Sequence, residues 1–439
     1  MIGAVRSGIG AAKLAQKKGA QVFVSDSADE IKISENIAVL KTLGIGYECG
    51  GHSDKVFDCD FMITSPGVPS DSEVLKKAAE QGIEVISELE FASRFCKAKI
   101  IGITGTNGKT TTTSLCEFTL NKCGINAKSA GNIGLAFSEI ADDLTENDFA
   151  VVEISSFQLD HVKDFKPFIS VILNITPDHL DRYEHDVNKY TASKLKIAAK
   201  QDSGDYFIFN ADDKGTPEIG NETVNKFSFS IKNRIAEGTF SESGKMFFAK
   251  KNTSEEIMDA GKLSIKGEHN LANALAVLAI AKLCGCGNKG IVEAFSTFPG
   301  VEHRLEFVRE LKGVKYINDS KATNVDSVWY ALRSFSEPLF LILGGKDKGN
   351  NYTQIEKEVR ERVRKIYAIG SSAQKVYDFF SESVEVEKVE SLKSCVEKAE
   401  TETKKGDVVL LSPACASFDM FKNYEDRGTQ FKEIVMGLN

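Results

Sequence analysis

The sequence predicts an α/β protein built from successive strand-led units. Three observations lead there. Short apolar runs of strand length alternate with helical stretches along the chain. Most of the loops that follow those runs carry Gly, Ser, Asn or Asp. The 439 residues exceed what one core holds, which argues for two to four domains.

The elements follow in order. In residues 1–95, "QVFVSD" (21–26), "FMITSPG" (61–67) and "IEVISELE" (83–90) read as strands, with helical stretches such as "SEVLKKAAEQG" between them. A basic connector, "RFCKAK", leads to residues 96–297. There "IIGIT" (100–104), "FAVVEIS" (149–155), "ISVILNIT" (169–176) and "YFIFNAD" (206–212) are strands, and "NLANALAVLAIAKLCG" is a closing helix. Residues 298–439 carry "VKYINDS", "PLFLILGG", "RKIYAIG" and "DVVLLSPA" as strands. In parallel sheets of this kind ligands bind at the carboxyl ends of strands.

Composition narrows the function classes. Apolar residues make up 42% and charged residues 27%, and the formal net charge is −8. That balance gives no general reason to bind nucleic acid or an anionic membrane, so any anionic ligand needs local positive groups. No run reaches the ~18 apolar residues of a membrane span. The nine cysteines form no CxxC pair, and Cys284-Gly-Cys286 is not by itself a zinc spacing. The expectation is a cytoplasmic protein with reduced thiols.

The chemistry starts at "GITGTNGKTTTT" (102–113). A strand, a glycine-bearing loop and a helix start make an anion site from backbone N–H groups and the helix dipole. In it Gly105, Thr106, Asn107 and Gly108 form the loop, Lys109 reaches outer phosphates, and Thr110 offers a hydroxyl to magnesium. The loop is a variant, because Ile103 stands where the strict Walker pattern has glycine. Glu153, ending "FAVVE", and Asp178, His179 and Asp181 in "NITPDHLDRY" fall at the same strand-end edge. Oxygen ligands there suit magnesium-ATP.

These stretches, with "EISSFQLD", "YTASKLKI", "GEHNLANALA", "EHRLE", "INDSKATN" and "LSPACASFDMFKNYEDRG", resemble the Mur ligases of peptidoglycan synthesis, in family order and nearly end to end. The last two motifs are most similar to the member that adds D-glutamate. The resemblance implies a three-domain architecture: a Rossmann-like N-domain (1–95) for the UDP-substrate, a central P-loop ATPase domain (96–297) and a Rossmann-like C-domain (298–439) for D-glutamate. The implied reaction joins D-glutamate to UDP-N-acetylmuramoyl-L-alanine through an acyl phosphate at the expense of ATP. It further implies two magnesium ions, no nucleic-acid or membrane partner, and a monomer.

Residue by residue, the resemblance places Lys109, Thr110 and Thr111 on ATP phosphates and magnesium. Glu153 is an implied metal ligand, and His179 sits by the second metal and the activated carboxylate. Asn270 and Asn273 fall to the adenine region, and Arg304 and Asp319 to ribose and phosphates. Ser65 and Asn132 touch the nucleotide-sugar; the first loop, with Arg6, Ser7 and Asp26, cradles the uridine diphosphate. Lys321, Thr323, Lys348, Ser417, Phe418 and Tyr424 bind D-glutamate, where lysines and hydroxyls face a dicarboxylate. Lys194 is implied to be carbamylated.

The N-terminus departs from the pattern. "IGAVRSGIG" reads as a first turn with Val5 in place of the fingerprint's middle glycine, and only Ile2 precedes Gly3 where a strand belongs. A shortened N-terminus is expected. Two other readings stay open here: a folylpolyglutamate synthase, which leaves the first unit and "SPACASFDMF" unexplained, and a nucleotide-sensing scaffold with a dead site.

Overall fold

The apolar runs become the inner strands of two large sheets. The computed structural model describes residues 1–178, 180–216, 222–251, 253–347 and 349–438. They form two units: Met1–Ser264 with Asn270–Phe298, and Ile265–His269 with Pro299–Asn439.

The first unit begins with β1 (Phe23–Asp26), β2 (Gly46–Cys49), β3 (Phe61–Thr64) and β4 (Glu84–Ser87), paired in parallel as β1–β2 and β3–β4. Residues 1–3 lie between the pairs. Ile2 bridges Ser25 on one side and Thr64 on the other; Ile2 N–H donates to Ile63 O over 2.8 Å and Gly3 N–H to Ser25 O over 2.8 Å. Three residues thus stand in the place where a central strand belongs in this topology. Gly8, in the helix Arg6–Lys17 that follows, is required by packing, since a Cβ there would lie 1.9 Å from Gly3 O.

The fourth strand is shorter than expected. "ISELE" does not continue as strand, because Ser87 Oγ accepts from Glu90 N and caps a helix, Glu88–Ser93.

Next come β5 (Lys99–Thr104), β6 (Ala127–Gly131), β7 (Phe149–Glu153), β8 (Ile169–Ile172), β9 (Tyr206–Asn210), β10 (Asn225–Ser230), β11 (Gly238–Glu242), β12 (Lys245–Lys250) and β13 (Thr253–Asp259). Among the described residues they form one sheet in the order β13-β12-β11-β10-β9-β8-β5-β7-β6. It is parallel from β6 through β11, with β12 and β13 added antiparallel. The central strands are buried on both faces, which is why they read as continuous apolar runs. Because β5 lies between β7 and β8, the loops leaving all three reach one edge.

The second unit holds β14 (Glu306–Leu311), β15 (Val314–Asn318), β16 (Leu339–Gly344), β17 (Val363–Ile369), β18 (Glu385–Lys388) and β19 (Val408–Leu411), in the order β14-β15-β19-β16-β17-β18. All pairs are parallel except β14–β15. Separate apolar cores pack on its two faces. No described helix is long and apolar enough to cross a membrane.

Candidate functional site

The phosphate loop joins β5 to the helix Lys109–Lys122. Gly108 adopts φ +84° and fits tightly: a Cβ there would meet Asn273 Oδ1 at 2.4 Å. Asn273 and its neighbour Asn270 are buried and share a hydrogen bond of 3.3 Å, so Asn273 reaches this loop's helix start and Asn270 backs it. Lys109 Nζ donates to Gly105 O (2.9 Å) and Thr106 O (2.8 Å), which holds its charge over the loop. Thr110 and Thr111 are buried in the helix's first turn.

The loop is stitched to the chain leaving β8. Thr106 N–H donates to Asn174 O (2.9 Å), Asn107 N–H to Asn174 Oδ1 (2.9 Å), and Thr176 N–H to Thr106 Oγ1 (3.0 Å). Glu153, ending β7, is 2% exposed. Its Oε1 accepts from Asn132 Nδ2 over 3.1 Å, while Oε2 has no partner among the described residues. Lys194, on the helix Val187–Leu195, is 1% exposed. Its Nζ donates to Gly105 O over 3.0 Å and lies 4.6 Å from the centre of the Tyr190 ring. Burial first, and the Lys109 charge second, hold its ammonium well below the usual lysine range. Thr106, Glu153, Asn132 and Lys194 therefore lie at one sheet edge. His179 lies outside the described residues, as does the Asp181 side chain.

At the N-terminal loop Asp26 is occupied by backbone. Its Oδ2 accepts from Ala4 N (2.6 Å) and its Oδ1 from Ala28 N (2.8 Å), so it shapes the turn before Arg6 and Ser7. Ser65 is buried and donates to Gly3 O over 3.3 Å.

In the second unit Asp319 is buried. Its Oδ2 accepts from Ser412 Oγ (2.8 Å) and its Oδ1 from Leu305 N (3.1 Å). Burial pushes its carboxyl up to about 6, and the Arg304 charge opposes the rise. Arg304 Nε has no partner among the described residues. Lys321 Nζ lies 5.2 Å from the centre of the Tyr424 ring. Ser417 is buried, whereas the neighbouring Phe418 is 66% exposed. Thr323 N–H donates to Lys321 O, closing the turn that carries both. Lys346 and Ala416 exchange backbone hydrogen bonds, tying the loop after β16 to the Ser417 loop. Lys348 lies outside the described residues.

The chain matches, in three successive stretches, the families described as MurD N-terminal domain (10–74), Mur ligase middle domain (103–281) and Mur ligase, glutamate ligase domain (303–415). A UDP-N-acetylmuramoylalanine--D-glutamate ligase of Chloroherpeton thalassium is 45% identical, with 100% of this chain and 97% of that one covered. The chain belongs to the Mur ligase family. A relative of the same name from Salinibacter ruber is 42% identical over 100% of this chain and 97% of its own. Among solved structures, the UDP-N-acetylmuramate-alanine ligase MurC of Thermotoga maritima matches with TM-score 0.63 at 22% identity, covering 99% and 98% of the two chains. MurF of Acinetobacter baumannii matches with TM-score 0.63 at 16% identity, covering 97% and 98%. Both likenesses concern the fold.

Three residues of this Mur ligase that the sequence reading did not single out organise the loops. Asn174 brackets Asn107 from both sides, donating Nδ2 to its carbonyl (3.1 Å) and accepting its N–H. Tyr190 OH meets Thr106 Oγ1 at 3.1 Å. Arg427, buried, donates to Ser320 Oγ (2.9 Å), Ser320 O (2.7 Å) and Cys415 O (3.2 Å), joining the Lys321 loop to the Ser417 loop. Tyr190 and Arg427 sit inside stretches already noticed, "YTASKLKI" and "NYEDRG"; motif position was the available signal.

Proposed function

We propose that this Mur ligase joins D-glutamate to UDP-N-acetylmuramoyl-L-alanine with ATP as the energy source, in the cytoplasm and as a monomer. The full-length likeness to relatives bearing that name carries the reading. Residues 1–95 receive the UDP-substrate, 96–297 ATP, and 298–439 D-glutamate.

The backbone N–H groups of the loop and helix start, with Lys109, hold the triphosphate. A carboxylate is a poor electrophile, so the substrate's carboxylate oxygen first takes the γ-phosphoryl group. An O–P bond forms, the bond to the β-phosphate oxygen breaks, and ADP departs. The neutral amine of D-glutamate then bonds to the acyl carbon, inorganic phosphate leaves with the C–O electron pair, and the nitrogen gives up one proton to solvent. Lys109 follows the charge that moves with the phosphoryl group. Lys321 and Lys348 neutralise the two carboxylates of D-glutamate, with Thr323, Ser417, Phe418 and Tyr424 shaping the site. Arg6, Ser7, Asp26, Ser65 and Asn132 orient the nucleotide-sugar, and Asn270, Asn273, Arg304 and Asp319 the nucleoside end of ATP.

The unpartnered, buried Oε2 of Glu153 suits a hard divalent cation, which neutralises phosphate charge when bound. Thr110, Glu153 and His179 would hold two magnesium ions, together with a carbamylated Lys194. The depressed ammonium of Lys194 makes a neutral amine available to carbon dioxide; the N–C bond forms and a proton is lost. The product is an anion, so its repulsion with Lys109 becomes attraction.

The deciding experiment measures phosphate release from magnesium-ATP with each substrate omitted in turn. Release should require both UDP-N-acetylmuramoyl-L-alanine and D-glutamate. Equal turnover with L-glutamate or meso-diaminopimelate overturns the assignment.

A further inference from the structure

Two loops of the first unit face each other: the turn leaving β3, Ser65 to Val68, and the chain leaving β8 that carries Asp178 and Arg182. Arg182 crosses between them. Its Nη2 donates to Pro66 O over 3.1 Å and to Val68 O over 3.2 Å, and its Nη1 to Gly67 O over 3.5 Å. One guanidinium therefore addresses three consecutive carbonyls. The loop itself is a closed turn, since Val68 N–H donates to Ser65 O, and Ser65 N–H is held by Ile2 O.

The guanidinium plane is set from behind. Its carbon lies 4.4 Å from the centre of the Phe157 ring, and that ring stacks on Tyr183 with centroids 6.0 Å apart and planes 11° from parallel. Tyr183 is anchored in turn, its OH donating to Asp160 Oδ2 over 3.0 Å. Fork geometry matters here. A guanidinium spreads its N–H groups in a plane wide enough for three carbonyls, whereas an ammonium presents its donors from one point.

We infer that Arg182 is a positioning residue for the nucleotide-sugar substrate, fixing the Ser65–Val68 turn against the loop that leaves β8. The inference rests on the reading above, in which Ser65 touches that substrate. Arg182 spends its donors on the turn's carbonyls and so acts through the turn. A trans peptide is planar, so turning the carbonyls of Pro66 and Gly67 toward Arg182 fixes where the N–H groups of Gly67 and Val68 point. The substrate-facing surface of the turn is thereby set relative to the phosphate loop, to which the β8 loop is hydrogen-bonded through Asn174 and Thr176.

The test uses the full chain with Arg182→Lys, Arg182→Gln and Phe157→Leu. Phosphate release is followed with UDP-N-acetylmuramoyl-L-alanine, ATP and D-glutamate varied in turn, and binding of the nucleotide-sugar alone is measured by titration calorimetry. Arg182→Gln should raise KM and Kd for the nucleotide-sugar about tenfold or more while KM for ATP stays within about twofold, because the lost bonds serve one subsite. Arg182→Lys should recover only part of the loss, and Phe157→Leu should move the same constant less. Unchanged affinity for the nucleotide-sugar, or equal rises in all three KM values, overturns the role of Arg182. A wild-type chain that releases phosphate without any response to UDP-N-acetylmuramoyl-L-alanine refutes the functional reading instead. If Arg182→Gln does not fold, Arg182→Lys and Phe157→Leu decide the matter by the same ratio of constants.

Discussion

Asn132 Nδ2 holds one oxygen of Glu153 at 3.1 Å and leaves the other, buried, without a partner among the described residues. The amide aims the carboxylate without satisfying it. Glu153→Gln should raise the magnesium concentration for half-maximal activity by about tenfold or more, with a smaller rise for Asn132→Ala, as removal of a ligand and of its orienting partner would. A magnesium titration of phosphate release reads both. Identical curves for wild type and Glu153→Gln would remove Glu153 from the metal site.

Lys109 already lies over the loop carbonyls of Gly105 and Thr106, so its charge is in place before ATP arrives. Lys109→Ala should cost about 10²-fold or more in turnover, as loss of one transition-state donor does. A variant within twofold of wild type in kcat shows that the loop is structural only.

Activity should fall when bicarbonate and carbon dioxide are stripped and return when they are restored, and Lys194→Ala should be nearly inactive. The depressed Lys194 ammonium favours the neutral amine that the modification consumes. Full activity in buffer free of carbon dioxide, with carbon-13 NMR finding no carbamate, rejects the modification.

Asp319 gives a stability prediction with a definite sign. Its folded carboxyl sits at about 6, above the ~3.9 of an exposed aspartate, with burial the main cause. Its contribution to stability is therefore full below about pH 4, lost as pH rises through about 6, and level above that. Asp319→Asn cannot ionise. The difference in urea midpoint between Asp319→Asn and wild type should shift in the variant's favour from pH 4 to pH 6 and then stay level. A difference independent of pH contradicts the raised carboxyl.

What the sequence made legible follows burial. β5, β7, β8, β16 and β19 are covered on both faces, so their apolar runs stand out. The phosphate loop was legible because its chemistry is local. β10 to β13 were not, since "NKFSFS" and "TSEEIMD" mix polar and apolar positions at the sheet's far edge, and no short-range signal says that they join it. "SELE" was misread although Ser87 and Glu90 stand at the spacing of a helix cap; the apolar run before them masked it. Glu90 shows the remaining limit. Its Oε2 accepts from the backbone N–H groups of Lys163, Asp164 and Phe165, residues more than seventy positions away, and only the folded chain brings them together.

The stitching of the phosphate loop to the β8 exit has a dynamic consequence. The amides of Thr106, Asn107 and Thr176 are each bonded to the opposite loop, so separation of the two loops frees all three together, whichever loop moves. In native-state hydrogen exchange the three should report a single opening free energy and respond together when ATP binds, as members of one cooperative unit do. The nucleotide grip and the acid-bearing loop would then loosen and tighten as one body.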